Sequence, residues 1–185
     1  MINNNEVFIK HVKVPKTKSE IILTMGFNVP FAHPSVMIKK EFLRKNKLFY
    51  GSSGKKYAED LDMWITMFSK RAVFGNLKEE ILKYRILNTS LSRVNSKEIS
   101  HEIKLGLNNF INQNKALYKS SLLKVLKEDS LSNEQQKMVL RALFKYLTVE
   151  AQIPLVIKTL RKVNPVNFLF VCLSEVKERI KIIYC

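Results

Sequence analysis

Three carboxylates lie within four residues of the chain, at Glu59, Asp60 and Asp62, where the sequence predicts the start of a helix. The helix dipole and the free backbone N–H groups of a first turn favour negative charge, so acids are common there for structural reasons alone. A carboxylate held at such a position also stays ionised, and it can accept a proton from a substrate hydroxyl as a general base. The spacing is compatible with both interpretations.

Three further side chains could take part in binding. Trp64 is the sole tryptophan, and at four residues after Asp60 it shares a helix face with that carboxylate. It could form a stacking wall for a sugar ring, or it could pack in the core. His33 could be structural or catalytic, and Arg85 could be a surface arginine or bind a phosphate. No two histidines stand at ligand spacing, so no metal site is predicted.

The elements that must position these residues are short in the first half of the chain. Alternating apolar residues bounded by proline and glycine predict strands over residues 6–14, 35–40 and 79–87. Helices are predicted from a cap at Ser19 through "EIILTMGF", over "KEFLRKN", and from Glu59 to about residue 70. The Gly-Ser-rich stretch over residues 50–56 is predicted to be flexible.

From residue 96 onward the apolar spacing is helical. Ser132 and Gln135 form a capping box, and Asn164 precedes Pro165 as a cap followed by a first-turn proline. The pattern predicts a bundle of three to five helices. We therefore predict an α/β part over residues 1–96 and an all-helical part over residues 97–185.

Net charge limits the partners that this chain can have. The formal charge is +16, from 32 lysines and arginines against 16 acids, and both halves carry the excess. Such a chain suits nucleic acid, an anionic membrane surface or phosphorylated substrates. The basic residues are dispersed and match no nucleic-acid motif, so no nucleic-acid partner is expected. A Gly-rich phosphate loop is also missing from the sequence.

Location is predicted from the cysteines and the apolar runs. Cys172 and Cys185 form no disulfide framework, which favours a reducing compartment. The N-terminus is polar, and the longest apolar run is far shorter than the roughly 20 residues of a membrane span. We expect a cytoplasmic protein, either soluble or peripheral at the inner face of the plasma membrane.

Three segments together resemble one enzyme family. "PFAHPSVMIKKEFL", "YAEDLDMWITMFSK" and "FGNLKEEILKYRILNTSLS" resemble the acceptor-side half of family 2 glycosyltransferases, which are inverting enzymes of the GT-A fold in bacterial surface-polysaccharide synthesis. The resemblance covers roughly residues 6–95. It implies an α/β fold, in which the C-terminal part of a GT-A domain is followed by a helical extension.

The resemblance also implies roles for individual residues. Asp60 would be the catalytic base that deprotonates the acceptor hydroxyl, which then attacks the anomeric carbon of a nucleotide sugar. Glu59, Trp64 and His33 would lie in the acceptor site, and Arg85 would contact the diphosphate leaving group.

A complete enzyme of this family has a nucleotide-binding half and an Asp-x-Asp site for Mn²⁺ or Mg²⁺. Asp60 and Asp62 are the sole acidic pair of that spacing here, and they belong to the helix motif. The chain is therefore expected to need a separate donor-binding half and to be inactive alone. The alternative is a non-catalytic basic helical module that docks to an anionic membrane or a partner protein through residues 97–185.

Overall fold

A computed structural model describes residues 1–2, 5–51, 57–87, 89–148 and 152–183 of the chain. Regular secondary structure within these ranges is helical. The α-helices are α1 (Lys18–Thr24), α2 (Lys40–Asn46), α3 (Glu59–Ser69), α4 (Leu91–Val94), α5 (Ser96–Gln113), α6 (Lys115–Val125), α7 (Asn133–Leu147), α8 (Ile153–Leu160) and α9 (Pro165–Ile183), and a 3₁₀ turn covers His33–Ser35. Positions 52–56 of the segment that was predicted to be flexible lie outside the described residues.

The first helix begins with a capping box. The Thr17 hydroxyl accepts a hydrogen bond from the Glu20 N–H, and the Glu20 carboxylate accepts one from the Thr17 N–H. These bonds satisfy two of the backbone donors that a helix start leaves unpaired. The sequence prediction of this helix is confirmed, but its cap lies at Thr17 and not at Ser19.

Two later helices begin where the sequence predicts. Ser132 and Gln135 exchange the side-chain and backbone bonds of a capping box at the start of α7. At the start of α9 the Asn164 Oδ1 accepts the Asn167 N–H at 2.8 Å, and Pro165 is the first helical residue. Five helices, α5 to α9, follow residue 96 in the described part of the chain, in agreement with the predicted bundle.

A shared hydrophobic cluster joins helices from before and after residue 96. Helix α1 packs against α6 and α7, α3 packs against α5, and α7 packs against α8 and α9. The buried Tyr118 hydroxyl donates to the Leu23 carbonyl at 3.0 Å, which joins α6 to α1. The proposed boundary near residue 96 thus falls between segments that share buried side chains. The largest fully buried side chains are Trp64, Tyr118, Tyr146 and Phe110.

The predicted α/β fold of the GT-A type is wrong for the described residues. They contain no strand, and β pairing is limited to isolated bridges of Ile2 with Phe8 and with Arg85. The predicted strand over residues 35–40 is instead a 3₁₀ turn, a short extended link and the first residue of α2. The helical second part of the chain fits the extension that was predicted.

The strand predictions fail because the alternating segments have nothing to pack against. Val7 and Ile9 remain 58% and 47% exposed, and Ile81 is 64% exposed. A strand needs both a ladder partner for its backbone and a core for one of its faces. Glu6, the first residue of the first predicted strand, also has a positive φ of 61°, which is not a strand conformation.

No helix in the ranges that the structure describes is long and apolar enough to span a bilayer.

Candidate functional site at the start of α3

A carboxylate from another helix holds the beginning of α3. The residue before this helix is Ala58, which has no side-chain oxygen to cap the free N–H groups. The Glu102 Oε2 of α5 accepts both the Tyr57 N–H at 3.1 Å and the Ala58 N–H at 3.0 Å. Since the Ala58 N–H is one of those that a helix start leaves unpaired, Glu102 satisfies it as the acid of a capping box does, from 44 residues away.

A glycine lets α3 and α5 approach each other closely. A Cβ atom at Gly106 would lie 3.1 Å from the Leu61 Cδ2 and 3.6 Å from the Ile65 Cδ1. The first separation is tighter than nine in ten real Cβ contacts, so the Leu61 side chain would have to shift by a few tenths of an ångström to admit a larger residue. The contact fixes the buried face of α3, which carries Leu61, Met63, Trp64 and Met67. Glu59 and Asp60 remain half-buried at the start of the helix.

Aromatic rings surround Trp64. The indole is fully buried, and the rings of Phe31, His33 and Tyr50 meet it edge-on at centroid distances of 5.8, 6.4 and 6.2 Å. His33 and Tyr50 also contact each other at 4.9 Å. His33 is exposed and Tyr50 is 40% exposed, so these two rings form the solvent-facing part of the cluster. We call Trp64, Phe31, His33 and Tyr50 the aromatic cluster.

The acids of α3 lie close enough to the aromatic cluster to affect Tyr50. Partial burial raises the pKa of the Tyr50 phenol, and the negative charges of Asp60 and Glu59 raise it further. The Asp60 Oδ1 accepts the Leu61 N–H at 2.7 Å, while Oδ2 has no hydrogen-bond partner among the described residues. The negative charges of the half-buried Asp60 and Glu59 therefore lie near the exposed side of the aromatic cluster at Tyr50.

The indole N–H of Trp64 is a buried donor without an acceptor in the described part of the chain. Leaving such a group unpaired costs about 1–3 kcal/mol, and native proteins seldom tolerate this without a reason. The unpaired donor belongs to the aromatic cluster, next to the acids of α3. Because this nitrogen has less than 1 Å² of accessible surface, the unpaired donor belongs to the packing of the cluster and is not open to a ligand.

The structure pairs Arg85 with the N-terminal segment. Its Nη2 donates to the Glu6 Oε1 at 2.9 Å, and Arg85 holds the pKa of the Glu6 carboxyl below its usual range. The guanidinium is 41% exposed, and the backbone of Arg85 forms the isolated bridge with Ile2. The predicted phosphate contact of Arg85 stays a prediction, and Glu6 would compete for this cation.

The described residues do not offer a metal centre. They contain no group of three or more His, Cys, Asp or Glu side chains arranged to hold a metal ion. The divalent metal that the family resemblance implies for a complete enzyme stays a prediction.

Sequence reasoning placed four of its five site residues in one region and missed several others. Glu59, Asp60 and Trp64 come together through α3, and His33 joins them through its ring contacts. Tyr50, Phe31 and Glu102 were not predicted. Tyr50 is the first residue of the Gly-Ser-rich stretch, and this position was only a weak signal for a site residue. No sequence spacing links Glu102 to the start of α3.

Comparison with known proteins gives one informative similarity. The chain is 35% identical over 95 residues to the O-antigen biosynthesis glycosyltransferase WbnJ of Escherichia coli, a match that covers 50% of this chain and 36% of the relative. The chain thus spans about a third of the length of that protein. No family model matches the chain. No solved structure matches it either.

Proposed function

We propose that this chain takes part in glycosyl transfer during surface-polysaccharide synthesis and that the start of α3 is its acceptor site. The observation that carries the proposal is the similarity to the O-antigen glycosyltransferase WbnJ. The site adds chemical support, because exposed aromatic rings beside a carboxylate suit the apolar face and the hydroxyl groups of a sugar.

In the proposed reaction, Asp60 is the general base. Its Oδ2 takes the proton of one acceptor hydroxyl, and the hydroxyl oxygen forms a bond to the anomeric carbon of a nucleotide sugar. The bond from that carbon to the diphosphate breaks, and the nucleotide diphosphate leaves with the electron pair. Attack from the opposite side inverts the anomeric configuration.

The surrounding side chains bind and orient the acceptor. His33 and Tyr50 provide the exposed rings on which a pyranose can stack, and Trp64 supports them from below. The Glu59 carboxylate accepts a hydrogen bond from a second sugar hydroxyl. The donor sugar is bound by residues outside this site, either elsewhere in the chain or on a separate donor-binding polypeptide. Arg85 remains our candidate for the diphosphate.

Acceptor binding can be followed through Trp64, because it is the only tryptophan and lies in the aromatic cluster. Titration with O-antigen-type oligosaccharides should change its fluorescence saturably. Tyr50→Ala should weaken binding by about tenfold, since an aromatic contact contributes roughly 1–1.5 kcal/mol. The matched control is Tyr84→Ala, at a tyrosine that is 39% exposed. If no oligosaccharide changes the fluorescence, this surface is not the acceptor site.

Transfer tests the role of Asp60. The 185-residue chain is assayed with nucleotide sugars and lipid-linked acceptors. One assay contains the chain alone, and a second adds cell extract from a strain in which the gene for this chain is deleted. The extract supplies any separate donor-binding polypeptide. Asp60→Asn should lower transfer by about 10²–10⁴-fold and leave saccharide binding within about threefold. Asp129→Asn, at an exposed loop acid, is the control. Normal transfer by Asp60→Asn would exclude this residue as the base.

A further inference from the structure

Helix α8 presents apolar side chains to solvent. Ile153, Ile157 and Leu160 are 75%, 47% and 42% exposed, and their spacing of four and three residues places them on one face of the helix. Leu155 and Thr159 lie on the opposite face and are buried. The exposed face is therefore a second apolar stripe, which the packing of α8 on the protein core leaves uncovered. We call it the α8 stripe.

Cations border the α8 stripe. Lys158 and Arg161 line a shallow groove together with Ile153 and Ile157. Lys158 also lines a neighbouring groove with Lys124 and Lys127 of the α6 region, so these cations form one rim. The four rim cations, Lys124, Lys127, Lys158 and Arg161, are exposed, and none of them pairs with a carboxylate among the described residues.

A further lysine fixes the end of α8 and keeps the stripe in place. The Lys162 Nζ donates to the Glu128 carbonyl at 2.8 Å and to the Asp129 carbonyl at 3.2 Å, in the loop between α6 and α7. Lys124 and Lys158 lie on α6 and α8, and Lys127 and Arg161 lie just beyond the ends of these helices. The Lys162 bonds therefore connect the two segments that carry the rim cations.

We propose that the α8 stripe and its four rim cations dock this protein on an anionic lipid bilayer. The argument is charge complementarity combined with exposed apolar area. An apolar helix face flanked by lysine and arginine lies in the membrane interface, with its apolar side chains at the acyl boundary and its cations among the lipid phosphates. Unlike a membrane-spanning helix, α8 has eight residues and can lie only along the surface. The proposal does not depend on the proposed glycosyl transfer.

Vesicle sedimentation with the full 185-residue chain tests the proposal. Vesicles of phosphatidylcholine mixed with phosphatidylglycerol should bind the chain, phosphatidylcholine alone should bind it weakly, and added NaCl should weaken binding. Neutralising the four rim cations to glutamine should weaken binding by about 10²–10³-fold, given about fivefold per cation near an anionic surface. Ile153→Asp with Ile157→Asp should also lower binding. Circular dichroism and Trp64 fluorescence check that each variant is folded.

The control removes the same charge from another surface. Glutamine at Lys39, Lys40, Lys45 and Lys47, all exposed in and around α2, lowers the net charge equally. If this control loses as much binding as the rim variant, net charge alone explains the attraction and the proposed face is wrong. Absence of binding to phosphatidylglycerol vesicles at low salt also overturns the proposal. The proposal is also overturned if the wild-type chain is a dimer without vesicles and Ile153→Asp is a monomer, since the stripe would then be a self-association surface.

Discussion

Replacing Glu102 should loosen the start of α3 although this residue lies on another helix. Its Oε2 accepts two backbone N–H groups, and bonds to a charged acceptor are worth about 1.5–3 kcal/mol each. Glu102 is only half-buried, so water can replace part of this interaction. Loss of a side-chain cap costs about 0.5–2 kcal/mol. We therefore expect Glu102→Ala to lower the free energy of unfolding by about 2 kcal/mol.

Glu102→Gln separates the hydrogen bonds from the charge. Both N–H groups bond to the same oxygen, so the glutamine carbonyl can keep both bonds while the negative charge is lost. We expect this variant to lose about 1 kcal/mol, because neutral hydrogen bonds are roughly half as strong as charged ones.

Urea unfolding monitored by Trp64 fluorescence measures both variants, since this buried indole lies within α3. For a chain of this length, 2 kcal/mol corresponds to a fall in Tm of about 4–8 °C. Glu98→Ala is the matched control, because Glu98 lies one turn earlier on α5 and is exposed. Our account of the cap is refuted if Glu102→Ala is no more destabilising than the control. It is also refuted if Glu102→Gln is as damaging as Glu102→Ala.

Two further variants test the site and the core. The difference between spectrophotometric pH titrations of the wild type and of Tyr50→Phe should show that Tyr50 ionises above pH 10. Asp60→Asn should lower the midpoint of this ionisation, because it removes a nearby negative charge. An unchanged midpoint would contradict the proximity of Asp60 and Tyr50. Since the raised pKa favours the neutral phenol in the folded state, Tyr50 does not affect stability below pH 10, and it lowers stability as the pH rises from there toward the folded pKa. Gly26→Ala should lower the free energy of unfolding by about 1–3 kcal/mol, because its Cβ would lie 2.2 Å from the Tyr118 hydroxyl oxygen. Gly75→Ala, which has no atom within 4 Å of the added carbon, should have little effect in the same denaturation assay.

Two predictions from local pattern were accurate because the interactions behind them are local. The capping box of Ser132 with Gln135 and the pair of Asn164 with Pro165 involve neighbours within one helical turn, and both mark real helix starts. The strand predictions depended on partners that lie far away in the sequence. An alternating segment such as residues 6–14 forms a strand only if another strand and a core receive it, and here the chain provides neither among the described residues.

At the candidate site, sequence spacing alone placed Asp60 and Trp64 on the same face of α3, and the sequence itself shows the acids at the start of this helix. The tertiary structure decided which rings surround them, because Phe31 and His33 reach Trp64 from one segment of the chain and Tyr50 from another. It also decided that Glu102 caps the helix and that Gly106 of α5 packs against the Leu61 side chain. Helix periodicity and capping act over three or four residues and can be read along the chain. Contacts across dozens of residues exist only after the hydrophobic cluster has formed and brought the helices together.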